Sequence, residues 1–493
     1  MKKQVQYPLL SEEYAVVTAV NHPLITVRGF STIQPGEVVI FENGSIGQVM
    51  SFENEAIQIM QFSHEKVSVE SRVSRTGQKL SFPVSHITLG GVFSPLGEHL
   101  YGALTTTEKI RYKPLFSAPP SLVKRRRITE QLETGFSLTD IMLPLGLGQR
   151  ELLVGDRKAG KSDFARGVAL AQAKKGTTVV FGLIGKKVAD IKRTYDFFKD
   201  ADVLDKVVLI ASTTKDPVSA ITITPAAAMT AAEHLLQQGR NVLLILDDMT
   251  THAEFYRELS LLAKRFPGRD SYPGDIFFVH AELLERAGVF SLDETASKQV
   301  ASLTCLPIVR TVNNDLTDYI TSNLISITDG HLLFDTRLFA QGLRPAIDTK
   351  LSVTRVGKQT QTALQRDSNQ ELTSFLSGYR KTKNLTHLGS EISQESQKIL
   401  KKGDLLTHFL SDSDQQHIPA TVRLLILGMI WSDWYENTHE NTVKSSTLQL
   451  TKQYESSDEV AKKLDAFTQA PTFQAFLSEI QKNQAELRRL CQI

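Results

Sequence analysis

The chain has 493 residues, of which 41% are hydrophobic and 22% are charged, and these ordinary values exclude a wholly disordered or fibrous protein. Its 56 basic and 54 acidic residues leave a net charge of +2, which argues against a nucleic-acid protein that relies on bulk charge. Two cysteines, no signal peptide and no apolar run of roughly 18 residues predict a soluble, intracellular protein. The length predicts two or three domains.

Short alternating segments fill the region from about residue 15 to residue 87 and predict β-strands. Residues 38–41 and 46–52 flank a tight turn that Asn43-Gly44 favours, because both residues tolerate positive φ. Residues 56–62 and 66–69 are two further predicted strands. Several short strands at this spacing predict a small closed barrel or a sandwich.

From about Gln149 onward, predicted strands alternate with predicted helices. The strands cover residues 151–154, 177–181, 207–211 and 241–246, and the helices cover 162–173, 188–199 and 219–238. Continuous apolar strands are typical of a parallel α/β sheet with helices on both faces. After about Gln365 the pattern becomes amphipathic and helical, at residues 370–380, 390–402, 420–431 and 456–489.

A phosphate-binding loop lies between the first strand and the first helix of the α/β region. It fits G-x-x-x-x-G-K-[ST] with Gly155, Asp156, Arg157, Lys158, Ala159, Gly160, Lys161 and Ser162. Glycines let successive N–H groups face the phosphates, and the following helix adds the positive end of its dipole. The lysine can reach the β- and γ-phosphates, and the serine can ligate Mg²⁺. The motif in this context predicts nucleotide binding.

Two carboxylates, Asp247 and Asp248, end the apolar strand at residues 241–246. The carboxyl edge of an α/β sheet is the ligand side, so Asp247 is the predicted outer partner of Mg²⁺, through water or through Ser162. Acidic residues commonly end strands, so this pair alone is weak evidence for a metal site. Together with the phosphate-binding loop it becomes stronger evidence.

Several long strings resemble the α subunits of F-type ATP synthases, over roughly residues 15–402. They are residues 124–135, 145–157, 265–275, 283–286, 325–330, 342–347 and 351–357. The resemblance agrees with a three-part fold: an N-terminal β-barrel, a central α/β P-loop domain of the RecA-like type with a parallel sheet, and a C-terminal α-helical bundle. We expect these domains at residues 1–90, 91–365 and 366–493.

The resemblance implies a non-catalytic, regulatory subunit of a rotary H⁺-transporting ATPase that binds ATP or ADP with Mg²⁺. Three such chains and three catalytic β subunits would form a ring around a γ stalk, peripheral to the cytoplasmic face of the bacterial plasma membrane. A δ subunit of the peripheral stalk would bind the N-terminal segment, which is short here. Arg355 and Ser352 occupy the arginine-finger region that acts on the neighbouring catalytic site. Arg344 and Pro345 match nucleotide contacts, and Ser326 and Gly330 match positions at the same interface.

Lys186 stands where the resembling β subunits carry a glutamate that orients the attacking water, and where α subunits carry glutamine. An ammonium group cannot accept a proton from water, so the chain's own site is expected to be inactive. Lys186 is expected either to add positive charge beside the γ-phosphate or to extend into solvent. Lys402 and Asp404 replace two glutamines expected to line the adenine pocket, which leaves the base selectivity open.

The same residues are also compatible or incompatible with three other functions. A specialised F-type-like ATPase without a standard proton channel fits the same residues. A homohexameric secretion-type ATPase needs a catalytic carboxylate where Lys186 stands. A Rho-like RNA translocase needs a basic face, and the run of four cations at residues 124–127 has Glu130 and Glu133 nearby, so no nucleic-acid partner is predicted.

Overall fold

A computed structural model describes residues 13–53, 56–104, 110–292, 299–387, 393–411, 418–435 and 440–491. The chain divides into two compact units. The first contains the described residues up to Arg127, Gly148–Arg157 and Gln172–Asp329, and the second contains Ile128–Leu147, Lys158–Ala171 and the described residues from Gly330 onward. The N-terminal segment predicted to meet a peripheral stalk lies outside the described residues.

The described residues form β-strands throughout the first unit and a few in the second. They are β1 (Tyr14–Asn21), β2 (Leu24–Arg28), β3 (Glu37–Phe41), β4 (Ile46–Glu53), β5 (Ala56–Gln61), β6 (Arg72–Lys79), β7 (Ser81–Pro83), β8 (Gly91–Phe93), β9 (His99–Gly102), β10 (Tyr112–Pro114), β11 (Arg125–Arg126), β12 (Gln131–Leu132), β13 (Leu145–Gly146), β14 (Glu151–Asp156), β15 (Thr178–Lys186), β16 (Val207–Thr213), β17 (Val242–Asp247), β18 (Gly288–Ser291), β19 (Val300–Thr311), β20 (Gly330–Phe334) and β21 (Val353–Thr354).

The described residues also form α-helices in both units. They are α1 (Ser137–Met142), α2 (Lys161–Lys174), α3 (Val188–Asp200), α4 (Val218–Leu236), α5 (Met249–Leu262), α6 (Ile276–Leu284), α7 (Tyr319–Ile327), α8 (Thr336–Ala340), α9 (Ala363–His387), α10 (Gln394–Leu410), α11 (Ala420–Trp431), α12 (Glu440–Ser456), α13 (Asp458–Phe467), α14 (Phe473–Lys482) and α15 (Gln484–Cys491). In the described part of the chain, none of them is long and apolar enough to cross a bilayer.

The first unit begins with a closed barrel in the strand order β1-β2-β5-β4-β3-β6, which confirms the predicted barrel. Alternate residues point inward and form its core, including Val39, Phe41 and Ile59. Gly44 makes the predicted turn with a φ of 81°. The strand predicted at residues 66–69 is wrong. Gln61 Nε2 donates to the Glu65 carbonyl at 2.8 Å, so the chain leaves β5 in a loop rather than in another strand.

The same unit contains a sheet in the order β14-β19-β17-β15-β16-β8-β9. The strands from β14 to β8 are parallel to their neighbours, and β9 is antiparallel to β8. This confirms the predicted parallel α/β sheet, whose buried strands need apolar residues on both faces. Because the strands are parallel, their carboxyl ends share one edge. Asp156, Thr311, Asp247 and Lys186 therefore lie along that edge as the last residues of β14, β19, β17 and β15.

The second unit contains the predicted C-terminal helices. The predicted helix at 370–380 is part of the longer α9, and the segment predicted at 456–489 is divided into α13, α14 and α15. Ser457 and Thr472 explain two of the breaks, because their side chains accept N–H groups at the starts of α13 and α14. A buried ion pair joins Asp140 of α1 to Arg423 of α11, with an N–O distance of 2.5 Å.

Candidate nucleotide site

The phosphate-binding loop has the backbone form that its sequence predicts. β14 ends at Asp156, α2 begins at Lys161, and the Phe164 N–H bonds the Gly160 carbonyl at 2.9 Å as the helix starts. Gly155, Lys158 and Gly160 have φ values of 151°, 63° and 91°. Backbone with positive φ turns consecutive N–H groups toward one side, which makes a concave anion-binding surface at the start of a helix.

Asp156 holds the first part of this loop in place. Its Oδ1 accepts hydrogen bonds from Thr311 Oγ1 at 2.7 Å and from the Asn314 N–H at 2.9 Å. These bonds tie the end of β14 to the end of β19 and to the chain beyond it. Asp156 therefore shapes the loop, and the structure does not place it as a free anion. Arg157 and Lys158 are exposed, whereas Ala159 and Lys161 are buried.

The two predicted carboxylates lie at the end of β17, and each is only 5% exposed. Asp248 caps α5, because its side chain accepts the Thr251 N–H at 2.7 Å. A buried carboxylate is costly unless a cation or several hydrogen bonds compensate it. Both residues meet this requirement through neighbouring strands of the same sheet.

Lys186 is the cation that compensates Asp247. Its Nζ lies 2.6 Å from Asp247 Oδ1 and 3.4 Å from Asp248 Oδ2, and its side chain is 20% exposed. Burial lowers the pKa of Lys186, but the two carboxylates outweigh burial and leave that pKa above its ordinary value. The ammonium group is thus held inside the unit, in contact with carboxylates, and does not extend freely into solvent.

Arg310, which sequence reasoning missed, completes the cluster from β19. Its Nε lies 3.3 Å from Asp248 Oδ2, and its Nη2 donates to Glu254 Oε2 at 2.9 Å and to Thr251 Oγ1 at 3.0 Å. Burial raises the pKa of Asp248, but Lys186 and Arg310 lower it further, so the carboxyl group stays ionised. Arg310 could have been found from the sequence, because it is a cation near the carboxyl end of an apolar run at residues 300–311.

Asp247 stays a predicted outer partner of Mg²⁺. The Lys186 ammonium group lies 2.6 Å from its Oδ1. In the described residues, no group of three or more His, Cys, Asp and Glu side chains is arranged to hold a metal ion. Ser162, at the start of α2, remains the predicted metal ligand.

Arg355 follows a short strand of the second unit that is held on both sides. Ser352 Oγ accepts the Leu333 N–H at 2.9 Å and donates to the Asp348 carbonyl at 2.6 Å, while Thr354 Oγ1 donates to the Pro144 carbonyl at 2.8 Å. Arg355 itself is exposed. Its guanidinium has no hydrogen bond or ion pair with any residue that the structure describes. The buried Ser352 positions the strand, and Arg355 is presented to the outside.

Comparison with known proteins assigns the family. Residues 135–354 match the model of the ATP synthase alpha/beta family, nucleotide-binding domain. The chain is 32% identical to ATP synthase subunit alpha of Caldanaerobacter subterraneus over 451 residues, which cover 91% of this chain and 88% of that protein. It is 32% identical to the Lactobacillus helveticus subunit over 446 residues (90% and 88%) and 33% identical to a Streptococcus pyogenes subunit over 416 residues (84% and 82%). The chain belongs to the ATP synthase α-subunit family.

Other residues predicted from the α-subunit resemblance lie in the second unit. The Arg344 guanidinium stacks 3.3 Å from the Phe339 ring centroid and donates to the Phe339 carbonyl at 2.8 Å. Pro345 lines a cavity of about 670 Å³ together with Leu343 and Tyr379. Arg344 and Pro345 stay predicted nucleotide contacts, and Pro345 is the one that lines this cavity.

Lys402 and Asp404 both form ion pairs and hydrogen bonds within the helical region of this α-family chain. Lys402 Nζ lies 2.7 Å from Asp433 Oδ1 and donates to the Trp431 carbonyl at 2.9 Å. Asp404 Oδ1 accepts from Tyr379 Oη at 2.5 Å and from Lys383 Nζ at 3.1 Å. These contacts give both residues a structural role. Ser326 Oγ likewise bonds carbonyls of its own helix, and Gly330 begins β20.

Proposed function

We propose that this chain is the non-catalytic, regulatory nucleotide-binding subunit of a rotary H⁺-transporting ATPase. The observation that carries the proposal is Lys186, which occupies the position of a catalytic carboxylate and is bound to Asp247. A general base must accept a proton from water, and a lysine whose pKa is raised is protonated and cannot do so. Lys186 and Arg310 keep the pKa of Asp248 below its ordinary value, so its carboxylate is a poor base. Nucleotide bound to this chain is therefore retained and not hydrolysed.

The catalytic contribution of the chain is proposed to be Arg355. A fixed strand presents an exposed guanidinium without an ion pair among the residues that the structure describes, which suits a group that inserts into the site of another subunit. A cation placed against the transferring γ-phosphoryl group stabilises the charge that develops in the transition state. Ser352 acts as a positioning residue through its hydrogen bonds to Leu333 and Asp348.

The partners and location follow from this role. Three copies would alternate with three β subunits around a γ stalk, and a δ subunit would join through the N-terminal segment. The ligands are ATP and ADP, with Mg²⁺ near Ser162. Contact with the membrane would be indirect, at the cytoplasmic face of the bacterial plasma membrane. A specialised ATPase without a proton channel would show the same ring but no membrane partners.

The test uses the full chain, purified alone and together with the proteins that bind it. We expect the chain alone to bind ATP and to hydrolyse almost none. Lys161→Ala should weaken binding roughly 10–100-fold, since a charge-assisted contact to phosphate is lost. Lys174→Ala, which changes an exposed lysine in the last turn of α2, is the matched control.

Mass spectrometry of the co-purified proteins should identify a P-loop chain with a glutamate at the position of Lys186. Robust turnover by the isolated chain would overturn the non-catalytic role and favour a homohexameric ATPase. Unchanged ATP affinity in Lys161→Ala would show that the loop is not the nucleotide site.

A further inference from the structure

A cavity of about 440 Å³ lies in the second unit beside β21, the strand that precedes Arg355. β21 forms one part of its lining, and α9 forms another. The residues of the phosphate-binding loop, Arg344 and Pro345 do not line it. The cavity is therefore separate from the residues predicted to hold the nucleotide.

Three basic side chains line this cavity, Lys350 and Arg380 among them, and within the described part of the chain no aspartate or glutamate does. Arg380 is half-buried, and its Nη2 donates to Thr349 Oγ1 at 3.3 Å. It forms no ion pair with any carboxylate that the structure describes. A guanidinium group that is partly withdrawn from water is stabilised by an anion in hydrogen-bond contact. The described residues do not supply Arg380 with such an anion.

The neighbouring acidic residues do not neutralise these basic groups. Asp348 lines a larger cavity that shares Lys350 and Arg380 with this one, and its Oδ1 accepts the Lys350 N–H at 2.8 Å. Lys383 also lines the larger cavity, and it is paired with Asp404. Three positive charges against the one negative charge of Asp348 leave a net charge of +2.

The residues of α9 that line the cavity share one face of the helix: Asn369, Thr373, Leu376, Ser377 and Arg380. Asp367 and Glu371 fall outside this set, and Asp367 instead accepts the Phe473 N–H at 2.6 Å. Ser377 and Thr349 add hydroxyl groups to the lining. Because Thr349 Oγ1 accepts from Arg380, its own hydrogen is available to a ligand. Basic side chains and hydroxyl groups together are suitable donors for phosphate oxygens.

We infer that this cavity binds a small molecule that carries phosphate groups and two or more negative charges. Its volume of about 440 Å³ lies within the range of about 300–1,000 Å³ that is typical of small-molecule sites. The net charge of +2 favours a ligand of opposite charge, and the half-buried Arg380 offers it a planar, bidentate donor. This site is additional to the nucleotide site of the proposed function.

Pyrophosphate is the probe, and isothermal titration calorimetry on the full chain in EDTA measures its dissociation constant. Every protein carries Lys161→Ala, which weakens the phosphate-binding loop and changes no residue of the cavity. We expect this chain to bind pyrophosphate with a dissociation constant of about 100 μM or lower. Adding Arg380→Gln should raise the constant about tenfold or more, because a charge-assisted contact is lost. Lys381→Gln changes the adjacent, exposed lysine of α9, which does not line the cavity, and should keep the constant within about twofold.

The outcomes separate the inference from the proposed function. No detectable binding of millimolar pyrophosphate to the Lys161→Ala chain overturns the inference, while ATP binding by the wild-type chain leaves the proposed function intact. Equal losses from Arg380→Gln and Lys381→Gln also overturn it, since pyrophosphate would then respond only to surface charge in general. If circular dichroism shows that Arg380→Gln does not fold, Lys350→Gln changes an exposed side chain of the same cavity and should raise the constant about threefold or more. An unchanged constant in that variant would overturn the inference.

Discussion

Lys186 and Arg355 are two cations of the candidate machinery, and the structure treats them in opposite ways. Lys186 lies at the end of β15 in the first unit, and its ammonium group contacts two buried carboxylates of its own chain. Arg355 follows β21 in the second unit, and it is exposed and unpaired among the described residues. A cation neutralised within its own domain adjusts that domain's site, whereas an uncompensated cation is available to another molecule. The proposed function uses this difference: it assigns to the chain a nucleotide site that does not hydrolyse and an arginine that acts on a partner.

The largest expected effect comes from removing the exposed cation. In a complex reconstituted with its catalytic partner, Arg355→Ala should lower ATP turnover by about 10³-fold or more, because transition-state charge on the phosphoryl group loses its partner. ATP binding to the variant chain itself should not change. Steady-state hydrolysis and calorimetric binding measure the two effects separately.

Lys358→Ala is the control for Arg355→Ala, since it removes an exposed cation three residues further along. It should leave turnover within about twofold of wild type, as surface charges contribute little. Equal losses from both variants, or full turnover without Arg355, would contradict the assignment of the arginine finger.

A buried arginine of the second unit gives the next test. Arg423 is fully buried against Asp140, so Arg423→Met leaves that carboxylate without its cation and should cost about 3–5 kcal/mol of stability. Trp431, at the end of α11, packs against Phe375 and Phe473, so its fluorescence reports unfolding of this region in urea. Asp140→Leu combined with Arg423→Met should recover much of the loss. If Arg423→Met lowers the free energy of unfolding by less than about 0.5 kcal/mol, the prediction is wrong. Such a result would mean that the buried Asp140 carboxylate does not depend on Arg423 for its stability.

The elements of the fold were predictable because their signals are local. Asn43-Gly44 identified a hairpin, continuous apolar runs identified parallel strands, and the motif ending at Ser162 identified a loop between β14 and α2. The strand predicted at residues 66–69 failed because a side-chain amide, Gln61, stabilises a loop there. Alternating apolar and polar residues do not reveal such a side-chain contact.

The charge cluster was not predictable from the same signals. Lys186 and Asp247 are 61 residues apart, and they meet because β15 and β17 are neighbours in the sheet. Arg310 joins them because β19 lies on the other side of β17. Strand order depends on long-range packing, so a sequence that identifies each strand still leaves open which strand ends share a site. The position of Arg355 likewise depends on hydrogen bonds that the sequence does not reveal. Ser352 donates to the Asp348 carbonyl, and Thr354 donates to the Pro144 carbonyl, 210 residues away.

The smallest expected effect comes from the ion pair between Glu37 and Arg75 in the barrel. It serves as a reference for the larger effects expected of Arg355→Ala and Arg423→Met. Glu37 is almost fully buried and accepts hydrogen bonds from Arg75 Nε at 3.0 Å and from the Gly77 N–H at 2.8 Å. Burial raises the pKa of Glu37, but Arg75 and the backbone N–H groups lower it further, so the folded pKa lies below the ordinary value. Glu37→Gln should therefore cost about 1–2 kcal/mol near neutral pH.

The pH dependence of that cost has a definite sign. A carboxyl group with a lowered folded pKa stabilises the fold above its unfolded pKa, about 4.3, and this contribution is lost as the pH falls through the folded value. The difference between wild type and Glu37→Gln should thus be constant from about pH 6 to 8 and shrink below about pH 4. Hydrogen exchange of the β3 and β4 amides measures it locally, since neither tryptophan lies in the barrel. A difference that grows on acidification would mean that Glu37 is protonated in the folded barrel, and that Arg75 does not keep it ionised as Lys186 and Arg310 keep Asp248.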